Sequence, residues 1–173
     1  MLQFRSGSFL KFAVDEPDIT MRILVIEENP SEANLIRLAL AEAASPVQVD
    51  FVKNRLRTRE RLGTYRNGML PAFILLSIKY WLPEDGQFIA QLRGEAVWAS
   101  VPVVVFSALD RIEDREAARA AGASIYLRKP GDAASYFSIL VSISRQFESR
   151  VTEWRGSVTA PASPSAMPRL AVK

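Results

Sequence analysis

Polar and charged residues end four of the short apolar segments in this sequence. Glu27 and Glu28 follow the first segment, Ser77 and Ser107 end two later ones, and Lys129 ends the last. If these segments are parallel strands, their carboxyl ends meet at one edge of a sheet. Each residue alone would be ordinary there, but two carboxylates, two hydroxyls and an ammonium at one edge predict a functional site.

The segments that position these residues alternate between strand and helix patterns. Continuous apolar runs predict buried strands, and apolar residues at three- and four-residue spacing predict helices. The predicted strands cover residues 22–26, 47–52, 72–78, 101–106 and 125–127, and the predicted helices cover 30–44, 55–65, 87–93, 111–121 and 133–154. Residues 83–86 (PEDG) are predicted as a turn. This alternation predicts an α/β, flavodoxin-like (βα)5 fold, a doubly wound five-stranded parallel sheet in the order 2-1-3-4-5 with an extended C-terminal helix.

The composition excludes several classes of chemistry. The chain has no cysteine and no histidine, which excludes disulfides, thiolate or imidazole metal sites and histidine-activated nucleophiles. No apolar run is long enough to span a membrane, and the first residues make a poor signal peptide, so a cytoplasmic protein is expected. We expect residues 1–20 to be an extension, residues 21–154 to be one domain and the proline-containing residues 155–173 to be a disordered tail.

Four stretches of the chain resemble the motifs of response-regulator receiver domains. Residues 23–29 (ILVIEEN) are similar to the first strand and acidic pair of that family, and residues 73–77 (FILLS) to its third strand. Residues 103–108 (VVVFSA) resemble the fourth strand with its hydroxyl residue, and residues 121–130 (AGASIYLRKP) resemble the segment that carries a lysine and a proline. The resemblance covers residues 21–150 and implies a receiver domain in bacterial two-component signalling.

The resemblance implies a role for each candidate residue. In receiver domains an aspartate at the end of the third strand accepts a phosphoryl group and, together with the acidic pair, holds Mg²⁺. By resemblance, Glu27 and Glu28 match the acidic pair, whereas Ser107 and Lys129 match the residues that bind the phosphoryl group. Tyr126 matches the aromatic switch on the output face; the alternative is a tyrosine that is merely half-buried at the edge of the sheet.

Ser77 departs from the family at the phosphoacceptor position. A serine hydroxyl is a weak nucleophile without a base, and Mg²⁺ prefers charged oxygen ligands. The sequence therefore predicts a pseudo-receiver, a non-enzymatic module that acts by phosphorylation-independent protein contacts, with Lys129 paired to Glu27 or Glu28 and no cofactor. Two alternatives stay open: a weak Mg²⁺ site at Glu27 and Glu28, and a phosphorylatable stand-alone regulator that uses a non-standard acceptor.

The last predicted helix and the arginine-rich second helix suggest partners. Five apolar residues of the last helix follow a heptad-like spacing, which predicts a homodimer unless residues 1–20 or the tail cover them; they are Phe137, Leu140, Phe147, Val151 and Trp154. This layout resembles the stand-alone receivers that partner bacterial phytochromes, and it implies a sensor histidine kinase or a phytochrome as the protein partner. The arginines of residues 55–66 form a solvated helix face or, as the lesser alternative, a nucleic-acid-binding surface.

Overall fold

A computed structural model of the chain describes residues 21–43, 46–65 and 70–158. The side chains of Leu56, Arg59 and residues 149–158 lie outside the description. The predicted extension at residues 1–20 and most of the predicted tail also lie outside the described residues. Among the described residues, no helix has the length and apolar character needed to cross a membrane.

The described chain forms one five-stranded parallel sheet with helices on both faces. The strand order is β2-β1-β3-β4-β5, which confirms the predicted doubly wound topology. In chain order the elements are β1 (Met21–Ile26), α1 (Pro30–Ala41), β2 (Val47–Val52), α2 (Arg55–Leu62), β3 (Phe73–Ile78), α3 (Pro83–Gly94), β4 (Val103–Ser107), α4 (Ile112–Ala121), β5 (Ile125–Arg128) and α5 (Ala133–Val158).

The central strands β1, β3 and β4 are largely apolar because both faces of the sheet are covered there. Successive residues of a strand point to opposite faces. Ile23 and Val25 therefore join one core cluster with α1 and α5, whereas Leu24 and Ile26 join a second cluster with α3 and α4. This two-sided burial fixes the carboxyl ends of β1 and β3 side by side, as their paired residues Ile26 and Leu76 show.

The predicted turn at residues 83–86 is wrong, because α3 already begins at Pro83. Proline suits the first turn of a helix, where its missing N–H has no intrahelical partner to lose. Asp85, in the same turn, accepts a hydrogen bond from the Leu82 backbone N–H at 2.8 Å and so caps the helix. Gly86 is helical as well, and an added Cβ there would lie 3.3 Å from the Trp81 ring. The PEDG pattern is thus a helix start whose glycine makes room for an indole.

The α5 helix packs its apolar face on the sheet, which corrects part of the predicted dimer seam. Leu140 and Phe147 are only 1% and 2% exposed, and the Phe147 ring stacks on Phe73 with centroids 4.7 Å apart. Phe137 is half-buried against the same cluster, and the side chains of Val151 and Trp154 lie outside the described residues. Spacings of three and four residues fit a coiled-coil seam and a sheet-packing face equally well. In this chain Leu140 and Phe147 pack against the sheet.

Candidate functional site

A crevice of about 550 Å³ opens at the carboxyl ends of β1 and β3, where the direction of winding reverses. Four of the five predicted site residues line it: Glu27, Glu28, Ser77 and Lys129. Ser107 is fully buried on the neighbouring strand, where it pairs with Ile78. The expected convergence of these polar groups is therefore present, with Ser107 behind the crevice wall.

Ser77 and Glu27 form a buried hydrogen bond at the floor of the crevice. The two residues are 6% and 7% exposed, and Ser77 Oγ donates to Glu27 Oε2 at 2.5 Å. The other carboxylate oxygen, Oε1, accepts the backbone N–H of Asn29 at 2.7 Å. Hydrogen bonds to an ionised group are the stronger kind, so the Glu27 carboxylate is held firmly by its own chain. The hydroxyl of Ser77 is committed to this carboxylate as a donor.

Lys129 brings a buried ammonium to the same carboxylate. Its Nζ lies 3.6 Å from Glu27 Oε2 and 2.7 Å from Glu32 Oε1, with only 7% of the side chain exposed. The backbone holds the residue in place, because the Lys129 N–H donates to the Ser107 carbonyl at 2.7 Å. The predicted pairing with an acidic residue thus involves Glu27, while Glu28 is exposed at the mouth of the crevice.

Glu32 belongs to this charge cluster, although the sequence predicted no functional role for it. It lies in the first turn of α1, where an acidic residue is ordinary because it favours the positive end of the helix dipole. Asn29 caps that helix, its Oδ1 accepting the N–H groups of Ser31 at 2.9 Å and Glu32 at 3.3 Å. The cap therefore fixes the turn from which Glu32 reaches Lys129. The sequence feature that could have identified Glu32 is its short distance along the chain from Glu27 and Glu28.

Ser107 and Tyr126 lie close together on the neighbouring strands β4 and β5. Ser107 Oγ accepts the Leu109 N–H at 3.2 Å, and the Tyr126 hydroxyl donates to the Leu109 carbonyl at 3.0 Å. Tyr126 is half-buried, and this burial raises the pKa of its phenol while the Ser107 hydroxyl opposes the rise. The loop after β4 thus connects the two residues, and this geometry is compatible with either interpretation of Tyr126.

An ion pair between Arg55 and Asp85 crosses the rim of the crevice. Asp85 is fully buried, and burial raises the pKa of its carboxyl while the Leu82 N–H and the Arg55 guanidinium oppose the rise. A second arginine of α2, Arg61, donates to Asp50 at 2.8 Å. Two of the arginines predicted as a basic surface are therefore engaged with carboxylates of the chain itself.

The donor set of the crevice does not fit Mg²⁺ as it stands. Mg²⁺ needs several oxygen ligands in octahedral geometry. Both Glu27 oxygens are engaged by Asn29 and Ser77, and Lys129 is a cation already next to one of them. Across the described residues, no group of three acidic, histidine or cysteine side chains is arranged to hold a metal ion.

No protein-family model matches the sequence. It is 32% identical over 115 residues to the DNA-binding dual master transcriptional regulator RpaA of Synechocystis sp., a match that covers 64% of this chain but only 44% of that relative. The fold is similar to the phosphorylated cyanobacterial phytochrome response regulator RcpA, with a TM-score of 0.66, 25% identity and coverage of 76% of this chain and 96% of that one.

A second solved structure, the Mn²⁺-bound response regulator Rcp1, matches the fold with a TM-score of 0.61 and 18% identity, over 86% of this chain and 99% of that one. The chain therefore has the fold of response-regulator receiver domains. In this chain the third strand of that fold has Ser77 as its second-last residue.

Proposed function

We propose that this receiver domain is a cytoplasmic pseudo-receiver, which is not an enzyme and signals through protein contacts that do not require phosphorylation. The observation that carries the proposal is the buried bond from Ser77 to Glu27, at the position where the family has its phosphoacceptor. Ser77 supplies no carboxylate, and its hydroxyl already serves as a donor to one. No histidine in the chain could act as its base.

The charges of the crevice support the same proposal. Lys129 lies between Glu27 and Glu32, so the ammonium is neutralised by the chain itself. A buried cation with two carboxylate partners is costly to separate, because removing one partner leaves an unpaired buried charge. The ammonium of Lys129 therefore has carboxylate partners without a phosphoryl group.

Phosphorylation of the purified chain tests the proposal directly. The chain is incubated with acetyl phosphate and Mg²⁺, or with an active sensor histidine kinase, and its intact mass is measured. We expect no added phosphate. The variant Ser77→Asp is the matched comparison, because it restores the family's acceptor at the same position. A stoichiometric acid- or base-labile phosphate on the wild-type chain contradicts the proposal and favours the alternative of a non-standard acceptor.

Binding of Mg²⁺ is tested separately by tryptophan fluorescence, because Trp81 lies in the loop that follows β3. We expect no saturable change in the wild-type chain at millimolar Mg²⁺. A larger response in Ser77→Asp would show that the missing carboxylate is the cause. Tight, saturable binding by the wild-type chain contradicts the metal-free arrangement and restores the alternative of a Mg²⁺ site at Glu27 and Glu28.

The partner that we propose is a sensor histidine kinase or a phytochrome. The support is the likeness to RcpA, which is itself described as a phytochrome response regulator. Binding is measured by titration against the kinase in the presence and absence of acetyl phosphate. We expect the same Kd in both conditions, whereas a Kd that falls on phosphorylation would contradict a phosphorylation-independent contact.

A homodimer through the far end of α5 is proposed as the working assembly. Phe147 already packs on Phe73, the first residue of β3, yet the helix continues to Val158. The sequence places Val151 and Trp154 at helical spacing after Phe147, which favours one continuous apolar face. Light scattering should give a dimer mass that Trp154→Asp reduces and that Ser142→Asp, on the exposed side of α5, leaves unchanged. A monomeric wild type at high concentration refutes the dimer.

A further inference from the structure

Tyr136 carries a buried hydroxyl next to the charge cluster of the crevice. The residue is 4% exposed, and its ring packs on Phe106 with centroids 5.0 Å apart. Within the part of the chain that the structure describes, its Oη is a buried side-chain atom that meets no hydrogen-bond partner. A buried hydroxyl without a partner lowers stability, so its presence at this position needs a physical reason.

The charges around the phenol make it a donor. Burial raises the pKa of Tyr136 far above its usual value, and the Glu32 and Glu27 carboxylates raise it further. The phenol therefore keeps its proton throughout the physiological range. Of the two carboxylates, Glu32 raises the pKa of the phenol more, so it is the candidate acceptor for the Tyr136 hydroxyl.

Glu32 thus lies between two donors from different elements. The Lys129 ammonium on the β5 side holds Glu32 Oε1 at 2.7 Å, and the Tyr136 hydroxyl on α5 has no hydrogen-bond partner among the described residues. Lys129 and Tyr136 both lie against the Phe106 ring, with the Lys129 Nζ 5.9 Å and the Tyr136 ring centroid 5.0 Å from the Phe106 centroid, so the phenol is a neighbour of the charge cluster. If Lys129 turned away, Glu32 and Glu27 would face each other as like charges in a partly buried space. A second donor for Glu32 would relieve that repulsion.

We propose that Tyr136 is a positioning residue that holds Glu32 at the crevice whenever the Lys129 ammonium is engaged elsewhere. Tyr136 thereby gives the charge cluster a second stable arrangement and connects it to α5. The inference rests on the proposed function only in treating the crevice as a charge cluster rather than a phosphorylation site. The donor exchange itself takes place within this chain and needs no partner.

A double-mutant cycle on the full chain tests this exchange by urea unfolding. In the wild-type background, Tyr136→Phe removes an unpaired hydroxyl, so the folding equilibrium constant should stay the same or rise. In the Lys129→Met background the phenol is the donor to Glu32, and the same substitution should lower that constant roughly tenfold. In the Lys129→Arg background, which keeps the cation, Tyr136→Phe should again have the wild-type effect.

Equal effects of Tyr136→Phe in all three backgrounds would overturn the inference, because a purely structural tyrosine does not depend on the residue at position 129. If Lys129→Met does not fold, Lys129→Gln replaces it as the uncharged background. If neither variant folds, Tyr136→Phe in the wild-type background is the remaining test. A tenfold lower folding equilibrium constant in that variant would show that the hydroxyl already has a partner in the wild-type chain, which contradicts the inference. None of these outcomes alters the phosphorylation test, so the two proposals fail independently.

Discussion

Removing the Ser77 hydroxyl should destabilise the fold by far more than an ordinary serine substitution does. The Ser77→Ala variant keeps the Cβ and deletes the donor that lies 2.5 Å from Glu27 Oε2. A hydrogen bond to a charged group contributes about 1.5–3 kcal/mol, and its loss in a buried site is not replaced freely by water. The Asn29 N–H and Lys129 continue to stabilise Glu27, so we expect a loss of about 2 kcal/mol in the free energy of unfolding.

Urea and thermal unfolding, followed by circular dichroism, measure this loss. A change of this size lowers Tm by about 5–10 °C in a domain of this length. Ser142→Ala is the matched control, because Ser142 is exposed on α5 and donates only to the Ser138 carbonyl of its own helix, at 2.7 Å. We expect less than about 0.5 kcal/mol from the control. If Ser77→Ala is no more destabilising than Ser142→Ala, the hydroxyl does not hold the carboxylate and the reasoning on the crevice is refuted.

Three further predictions concern the core, the acid response and the cap of α1. Phe147→Ala removes the ring that stacks on Phe73 and should cost about 3–5 kcal/mol in urea unfolding; a loss below 1 kcal/mol would contradict its place in the core. Burial raises the pKa of Asp50, but hydrogen bonds from Tyr65 and Arg61 outweigh it and lower the pKa overall. The ionised Asp50 therefore stabilises the fold fully above the ordinary pKa of 3.8, and this stabilisation is lost as the pH falls through the lowered pKa. Asp50→Asn should therefore flatten the acid limb of the stability profile, and an unchanged limb would refute this. Asn29→Ala should lower the free energy of unfolding by about 1 kcal/mol, which thermal unfolding measures, whereas an unchanged Tm would contradict the cap.

The sequence predicted the sheet well because a strand that is buried on both faces appears in the sequence as a continuous apolar run. The runs that form β3 and β4 are apolar up to Ser77 and Ser107, which are the second-last residue of β3 and the last residue of β4. Both serines were predicted from the point where the apolar pattern is interrupted. The start of α3 was harder to predict. Pro83 and Gly86 suggested a turn, but the Asp85 cap and the space next to Trp81 favour a helix, and neither contact is visible in the sequence.

Side-chain partners were the least predictable part of the site. Glu32 and Tyr136 come close to the crevice only because α1 and α5 pack on the same face of the sheet. In the sequence, Glu32 has the pattern of a first-turn acid and Tyr136 that of a core aromatic residue. The dimer seam was mispredicted at Leu140 for a related reason, since spacing along a helix does not say which surface the apolar face meets.

The position of Lys129 has a consequence for the order in which the protein folds. The lysine follows the last strand, whereas its carboxylate partners belong to the first strand and the first helix. Contacts between residues so far apart in the sequence form slowly, because a long loop must close before they are gained. During synthesis, Glu27 and Glu32 therefore leave the ribosome well before their cation does. The nascent amino-terminal half carries two adjacent negative charges until β5 joins the sheet, and a truncation before that strand would leave them without this lysine.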